Sequence, residues 1–488
     1  MDSPVLVVVG LGFGDEGKGT TVDALARAAG PATVVRFNGG PQASHHVVLA
    51  DGRWHGFSQF GAGTFVAGCT THLGRATYVE PGNLLREADA LELKGVHAPL
   101  ETLTLEPRCL LVTPAHKLVG QVQELARGAS RHGSVGMGVG QAVRDARTRG
   151  GEALGVADLL DGRRLRDRLA DHVATHWALA RPLAQAHPSA EMTRTIAHFE
   201  RRLDLEALLA EYRVVATRLA GRLRRDDDLL PDLVRSGRRL ILEGAQGTLL
   251  DPVVGFPPHI TKTPCTAHAA APLLDGLAVS PRVVGVLRGY AHRHGPGPLV
   301  GEDPHLAHHL HDEHNLPNRW QGPFRVGLPD LLMARYAVAV NGRVDALVVT
   351  GLDQLGGVRP LRVCASYRHP GPLPPAAAHR FMARSVGDDE TRVEGLRVPL
   401  PGEGPNPPSV GETLARCRPG TTPSLDGWEA WDHAPRALDE LPGGLRDYVG
   451  LLSSSDGLGV PVAILSLGPT GGDKLHVMNP TSTLIHKP

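Results

Sequence analysis

The sequence predicts an α/β fold. It reads as a P-loop-like, large, mainly parallel central sheet flanked by helices, with smaller inserted lobes. Three observations carry that prediction. Residues 5–10, VLVVVG, form a short β-branched apolar run bounded by glycine, the signature of a buried parallel strand. A glycine-rich loop and a helical Thr20–Ala29 follow it directly. Further short apolar runs then alternate with helical stretches along the chain, as expected for strands covered on both faces.

Taken in order, Thr33–Phe37 (TVVRF) reads as a second strand that ends in NGGPQASHH. Cys109–Thr113 (CLLVT), Arg239–Leu242, Arg282–Leu287, Ala346–Thr350 and Val460–Ser466 read as further strands. Helices are expected over 156–181, 197–224 and 329–340. The polar, glycine-rich loops that look functional follow the carboxyl ends of these strands, where open α/β sheets bind ligands. No internal repeat and no sharp boundary divides the chain, so 1–488 reads as one domain. Residues 368–425 carry HPGPLPPAA, PLPGEGPNPP and RPGTTPS, and read as a Pro-rich insertion or surface lobe.

Composition narrows the class. The chain has 488 residues, 41% hydrophobic and 21% charged, enough to bury a large core without disulfide support. Lys plus Arg equals Asp plus Glu at 51 each, which argues against bulk electrostatic binding of nucleic acid. The five cysteines (Cys69, Cys109, Cys265, Cys364 and Cys417) are scattered and without a CxxC pair, so free thiols in a reducing compartment are expected. No basic-then-apolar leader is read before Val5 and no apolar run is long enough for a membrane helix. Those features predict a cytoplasmic enzyme of small molecules, with neither nucleic acid nor membrane as partner. Among the 25 histidines, HLAHHLHDEH at 305–314 invites a metal reading through spacings such as His305–His309. Without an HExxH-type framework it reads instead as a solvated helix.

The chemistry begins in the first loop. Gly12–Lys18, GFGDEGK, fits the G-x-x-x-x-G-K frame of a phosphate-binding loop, but Gly19 stands where Ser or Thr would hold magnesium. Asp15 and Glu16 sit where phosphates approach. A carboxylate here is suited to ligating magnesium, or to taking a proton from a group that attacks the γ-phosphate. Backbone amides from Gly14 to Gly19, at a helix start, would hold the phosphates, and Lys18 would neutralise charge on the phosphoryl group in flight.

GDEGKG followed by a helix with V-D resembles the signature of the adenylosuccinate synthetase family. Three more ordered blocks are similar to that family: EGAQGTLLD at Glu243–Asp251, TGLDQL at Thr350–Leu355 and SLGP at Ser466–Pro469. The resemblance implies a GTP-hydrolysing, magnesium-using C–N ligase of purine biosynthesis. It phosphorylates the 6-oxygen of IMP and displaces that phosphate with aspartate, generally as a homodimer whose sites borrow residues across the interface. Carried over, the catalytic set is Asp15 (base at purine N1, and magnesium), Lys18, His45 (charge on the γ-phosphoryl) and Gln246. GTP falls to Gly14, Glu16, Gly17, Lys18 and Gly19, with Asp353 reading guanine and Ser466, Gly468 and Pro469 shaping its pocket. The purine nucleotide falls to Asp15, Gln42, Ser134, Arg149, Gln246 and Thr261, with Arg149 reaching the neighbouring subunit. The Ser44 carbonyl is the second magnesium ligand.

The chain departs from the family where the amine binds. The family's T-T-G-R-R-R-R-T-G-W becomes NRWQGPFRVGLPD at 318–330, which leaves Arg319 and Arg325 to hold a carboxylate. Val135 replaces a phosphate-contacting threonine beside Ser134, and Gly351 replaces a lysine. Two readings follow: adenylosuccinate-type synthesis itself, or a paralogue with the same activation chemistry and another amine or nucleotide. A GTP-binding protein that has lost ligation is a third class, which intact Asp15 and His45 disfavour. A generic P-loop NTPase leaves the EGAQG block without a role.

Overall fold

The strand Val5–Gly10 lies near the middle of the molecule's main sheet, and all six of its residues are buried. In the computed structural model, which describes residues 3–310, 320–387, 389–420 and 423–477, that sheet has nine strands. From one edge their order is Lys474–His476, Val462–Ser466, Ala346–Thr350, Arg282–Arg288, Val5–Gly10, Arg239–Glu243, Ala32–Arg36, Thr70–Leu73 and Leu103–Leu105. All pairings are parallel except that of the edge strand Lys474–His476 with Val462–Ser466. Alternation sends Val5, Val7 and Val9 into one core and Leu6 and Val8 into the other, which is why the run carries no polar residue.

Register aligns the functional ends. Val8 pairs with Glu243, Gly10 with Val286, and Arg288 with Thr350. The loops after Gly10, Arg36, Glu243, Arg288, Thr350 and Ser466 therefore open on one edge of the sheet.

The expected elements hold with shifted ends, and three differ. Cys109–Thr113 is not a sheet strand: only Leu110–Leu111 is extended, paired with Tyr78–Val79 in a separate two-stranded unit. Thr113 instead caps the helix Pro114–Ala126. The helix expected over 197–224 is two, Ala190–Arg202 and Leu205–Arg218, divided where Asp204 caps the second. Residues 156–181 divide at Asp161, which caps the helix Gly162–Ala186. Within 368–425 the chain contributes to a four-stranded antiparallel sheet ordered Phe381–Ser385, Glu390–Leu396, Tyr367–Pro370, Arg418–Pro419. All five cysteines are free and buried. No helix among the described residues is long and apolar enough to cross a membrane.

Asp330 fastens this antiparallel sheet to the main body. It caps the helix Leu331–Val340 by accepting from the Met333 amide (3.0 Å), and it accepts the Tyr367 hydroxyl at 2.7 Å. Burial pushes its carboxyl up to about 6, against roughly 3.9 in an unfolded chain. Between those values the folded chain holds a proton that the unfolded chain has released. Asp330 therefore costs the fold progressively more stability as pH rises from about 4, with the full cost reached above about 6. Asp330→Asn removes the charge and keeps one acceptor oxygen for the Met333 amide, while its NH2 donates to the Tyr367 hydroxyl oxygen in place of the bond that hydroxyl made. Urea unfolding should show a flatter stability–pH slope between pH 4 and 6 and a gain of at most about 3 kcal/mol at pH 8. A variant with the parent's slope would separate Asp330 from the pH dependence.

Candidate active site

The loop after Val5–Gly10 is built around one buried carboxylate. Glu16 is 0% exposed. Its Oε1 accepts from the Gly12 and Gly14 amides (3.0 and 2.8 Å), and its Oε2 accepts from Lys18 Nζ at 2.5 Å. Burial opposes that charge, but Lys18 and His292 outweigh it and hold the carboxyl below its usual range. Glu16 thus turns inward, and the Gly14 amide and the Lys18 ammonium are both engaged by it. Asp15 points the other way. It is exposed, takes the left-handed conformation (φ 59°), and forms no hydrogen bond with another described residue. Gly14 and Gly17 share that left-handed region at φ 90° and 92°. The helix Lys18–Ala29 begins at Gly17 with no side-chain cap, so its first amides face outward unpaired by any side chain.

Gly19, anomalous in the phosphate-loop frame, has a steric explanation. A Cβ there would lie 2.7 Å from the His45 carbonyl carbon and 2.7 Å from the His46 carbonyl oxygen. The second loop packs directly on the helix start and leaves no room for Ser or Thr. That contact sets His45 beside the phosphate loop, at the start of the strand His45–Val48, with the exposed Ser44 just before it. His45 Nδ1 lies 2.5 Å from Glu243 Oε1, and Glu243 Oε2 accepts from the Ala62 amide at 3.0 Å. Burial holds the imidazole neutral, below its ordinary value, with Arg36 and Lys18 acting the same way. The carboxylate therefore keeps the imidazole proton on Nδ1 and leaves Nε2 as the free face.

The third and fourth loops close on the first. A Cβ on Gly247 would lie 2.2 Å from the Gly12 carbonyl oxygen and 2.3 Å from Glu16 Oε1. Thr350 Oγ1 donates to the Glu16 carbonyl at 2.5 Å. Asp353 follows that strand and is half-buried, and burial raises its carboxyl above the usual range. In the SLGP segment, Ser466 Oγ donates to the Gly468 carbonyl (3.1 Å), and Thr20 Oγ1 donates to the Pro469 carbonyl (3.2 Å). The last loop is thereby joined to the first helix.

On the other flank Gln42 and Gln246 converge beside Gly39. Gln42 Oε1 and Gln246 Nε2 are both buried without a hydrogen-bond partner among the described residues. Gln246 is also held at φ 61°. Thr261 is half-buried, and Ser134 is exposed nearby, on a stretch that also touches the 259–262 segment through His132. Arg149 stays within its own chain: its guanidinium donates to Asp171 Oδ2 (2.7 Å) and Thr175 Oγ1 (2.8 Å). Arg325 is heavily engaged. It donates to both Glu302 oxygens and to the Gly295 and Gly297 carbonyls. Arg319 lies outside the described residues, as do positions 311–314 of the histidine-rich run. His305, His308 and His309 of that run are exposed on the short helix Pro304–His309.

Four residues contribute that sequence reading passed over. Glu243 heads a recognised block, but its pairing with His45 spans 198 positions. His292 Nε2 donates to the Gly14 carbonyl from beneath the loop. Lys474 holds the SLGP loop by donating to the Gly468 and Thr470 carbonyls (3.0 and 2.8 Å), and burial pushes its ammonium down to about 8. Lys262 is lowered by burial and by Arg127, Arg147 and Arg144 around it, which marks a cationic corner beside Thr261. Each depends on a tertiary neighbour that no local spacing encodes.

Comparison with known proteins agrees with this architecture. A family model described as adenylosuccinate synthetase matches residues 7–474. An adenylosuccinate synthetase of Synechococcus sp. (strain WH7803) is 32% identical over 486 residues, covering 99% of this chain and 98% of that protein. One from Myxococcus xanthus (strain DK1622) is 32% identical over 490 residues, covering 98% and 99%. Among solved structures, the fully ligated adenylosuccinate synthetase of Plasmodium falciparum has a TM-score of 0.76 at 19% identity, covering 97% of this chain and all of that one. The succinoaminodeoxyadenylate synthetase (PurZ) of cyanophage S-2L, bound to dGMP and dATP, has a TM-score of 0.54 at 17% identity, covering 98% and 97%. At those identities the two structures speak for the fold.

The loop junction makes a direct prediction. Gly247→Ala drives a Cβ into backbone atoms that cannot move without opening the first loop. Affinity for a guanine nucleotide, read by calorimetry, should fall about tenfold or more, with a stability loss of about 1–3 kcal/mol. Gly151→Ala, where nothing lies within 4 Å, serves as the control and should change neither. Equal behaviour of the two variants would mean that the junction does not shape the loop.

Proposed function

The chain belongs to the adenylosuccinate synthetase family, and from that premise we propose that it is a GTP-dependent ligase. It transfers the γ-phosphoryl of GTP to the 6-oxygen of an IMP-like purine nucleotide and then joins C6 to an amine, aspartate in the family's reaction. The observation that supports this most directly is the contact at Gly19, which sets the His45–Glu243 pair against the start of the phosphate-loop helix.

In this reading Asp15 takes the proton from purine N1, and the electron pair released makes O6 the nucleophile. O6 bonds to the γ-phosphorus as the bond to the β-phosphate bridging oxygen breaks, and GDP leaves. The free His45 Nε2 faces the charge that develops on the phosphoryl group, held in place by Glu243 through Nδ1. The amine nitrogen then adds at C6 and phosphate departs, with loss of the amine's proton. The uncapped amides of Lys18–Ala29 receive phosphate oxygens. The orphaned amide atoms of Gln42 and Gln246 suit a purine edge, and the Lys262 corner suits a 5′-phosphate in place of the threonine that Val135 replaces. Asp353, with two acceptor oxygens, suits the N1 and N2 donors of guanine, and Lys474 and the SLGP loop close that pocket.

Magnesium belongs to the proposal. The exposed Asp15 carboxylate and the Ser44 carbonyl, just before His45, are oxygen donors of the kind it takes. Bound there, it would neutralise charge on the triphosphate. The homodimer is also part of the proposal. An Arg149 that serves a neighbouring site must exchange Asp171 and Thr175 for that nucleotide.

A second reading changes the amine. Arg325 is committed to Glu302 and two carbonyls, and Gly322 and Phe324 carry no charge, so Arg325 as described is not presented to a second carboxylate. A less acidic amine fits that lining better than aspartate does.

Two measurements separate these statements. Asp15→Asn should lower phosphate release from GTP about 10²–10⁴-fold while leaving GTP affinity within a few-fold. Retained turnover would remove the base assignment. Arg325→Ala should cost about 1–3 kcal/mol of stability and leave the amine KM within about twofold. A tenfold rise in the aspartate KM would return Arg325 to substrate binding.

A further inference from the structure

Away from the ligase site, three histidines and a carboxylate meet inside the helical layer. His116 lies on the helix Pro114–Ala126, Asp145 on Val139–Arg149, and His172 and His176 one turn apart on Gly162–Ala186. Their ligand atoms all lie within 4.8 Å of one another, and the three rings are 1–2% exposed. We propose that this cluster is a zinc-type transition-metal site, with Asp145 Oδ2, His172 Nδ1 and His176 Nε2 as its protein ligands. Nothing in the ligase reading uses these residues, and the site stands or falls independently of it.

The proton positions carry the argument. His176 Nδ1 donates to the His172 carbonyl at 2.8 Å, so its Nε2 is bare. That bare nitrogen faces Asp145 Oδ2 at 3.6 Å, an acceptor against an acceptor. Only a cation between them resolves the arrangement, either a proton or a metal ion. His172 Nε2 lies 2.7 Å from Thr113 Oγ1. A proton on Nε2 donated to that hydroxyl leaves Nδ1 bare, 3.4 Å from the same carboxylate oxygen.

His116 plays a different part. Its Nδ1 accepts the Thr113 amide at 3.1 Å, which puts its proton on Nε2, 3.2 Å from Asp145 Oδ2. His116 is thus the donor that orients the ligating carboxylate. The two separations from the carboxylate oxygen fit the ion, and the two ring nitrogens lie within 4.8 Å of each other. Tetrahedral zinc with bonds of about 2.0–2.1 Å sets its ligand atoms about 3.3–3.4 Å apart, close to the 3.4 and 3.6 Å found here. Arg149 approaches Asp145 at 4.0 Å, but its guanidinium is drawn off by Asp171 and Thr175. A bound ion would pin the helices Val139–Arg149 and Gly162–Ala186 at one point and fix the segment that carries Arg149.

The test uses the full-length chain without an affinity tag. After chelator treatment, exposure to zinc and gel filtration, mass spectrometry of the metal should find about one zinc per chain. Cobalt(II) in its place should give the visible bands of a low-coordinate N/O site, and chelator should lower the melting temperature of the zinc-loaded protein. His176→Gln and Asp145→Asn should lose the retained zinc, whereas the surface control His305→Ala/His308→Ala should keep it. A wild-type chain that retains no zinc, or variants that retain as much as wild type, would overturn the site. The wild-type stoichiometry and cobalt spectrum decide the matter even if a variant fails to fold.

Discussion

The site rests on one buried charge. Glu16 sits inside the first loop, takes two of its amides and the Lys18 ammonium, and fills the space that side chains at positions 10 and 247 would need. An isolated carboxylate at zero exposure would cost several kcal/mol. Here every lone pair in use meets a donor, so the charge becomes a scaffold. It fixes the loop in a shape that turns Asp15 outward through left-handed backbone, and it forces glycine wherever another loop must touch.

From that scaffold the rest follows by contact. Gly19 lets the second loop rest on the helix start, which brings His45 in. Glu243, at the end of the neighbouring strand, reaches the imidazole because parallel register aligns it with Val8. Thr350 and His292 hold two carbonyls of the same loop, those of Glu16 and Gly14. The loops at this end of the sheet therefore share one set of backbone contacts.

Much of this was legible in the sequence because the strands at 5–10, 239–243, 282–288 and 346–350 are unbroken apolar runs, and glycine-rich blocks follow them. The short strands Thr70–Leu73 and Leu103–Leu105 were not, since three or four residues carry too little periodicity to register. Cys109–Thr113 misled because an apolar run before a proline-started helix resembles a strand. In the site, Asp15 and His45 could be read from their loops, whereas the inward turn of Glu16 could not: adjacent carboxylates look alike until burial separates them. His172 and His176 were passed over in the sequence, and their meeting with His116 and Asp145 is a property of helix packing. The Arg325–Glu302 pair likewise could not be foreseen, because an arginine in sequence does not disclose which partner it has already taken.

The bond from Thr20 to Pro469 spans 449 positions, and the bridge between Val48 and Thr470 spans nearly as many. A chain emerging from the ribosome thus has its phosphate loop long before it has the segment that seals it. The central strand itself waits for both its neighbours, Arg239–Glu243 and Arg282–Arg288, to be synthesised. Fragments released early lack the closing piece, so premature termination yields products without a sealed nucleotide pocket. The contacts that join the first loop to the SLGP segment form only once the residues around Thr470 have been made.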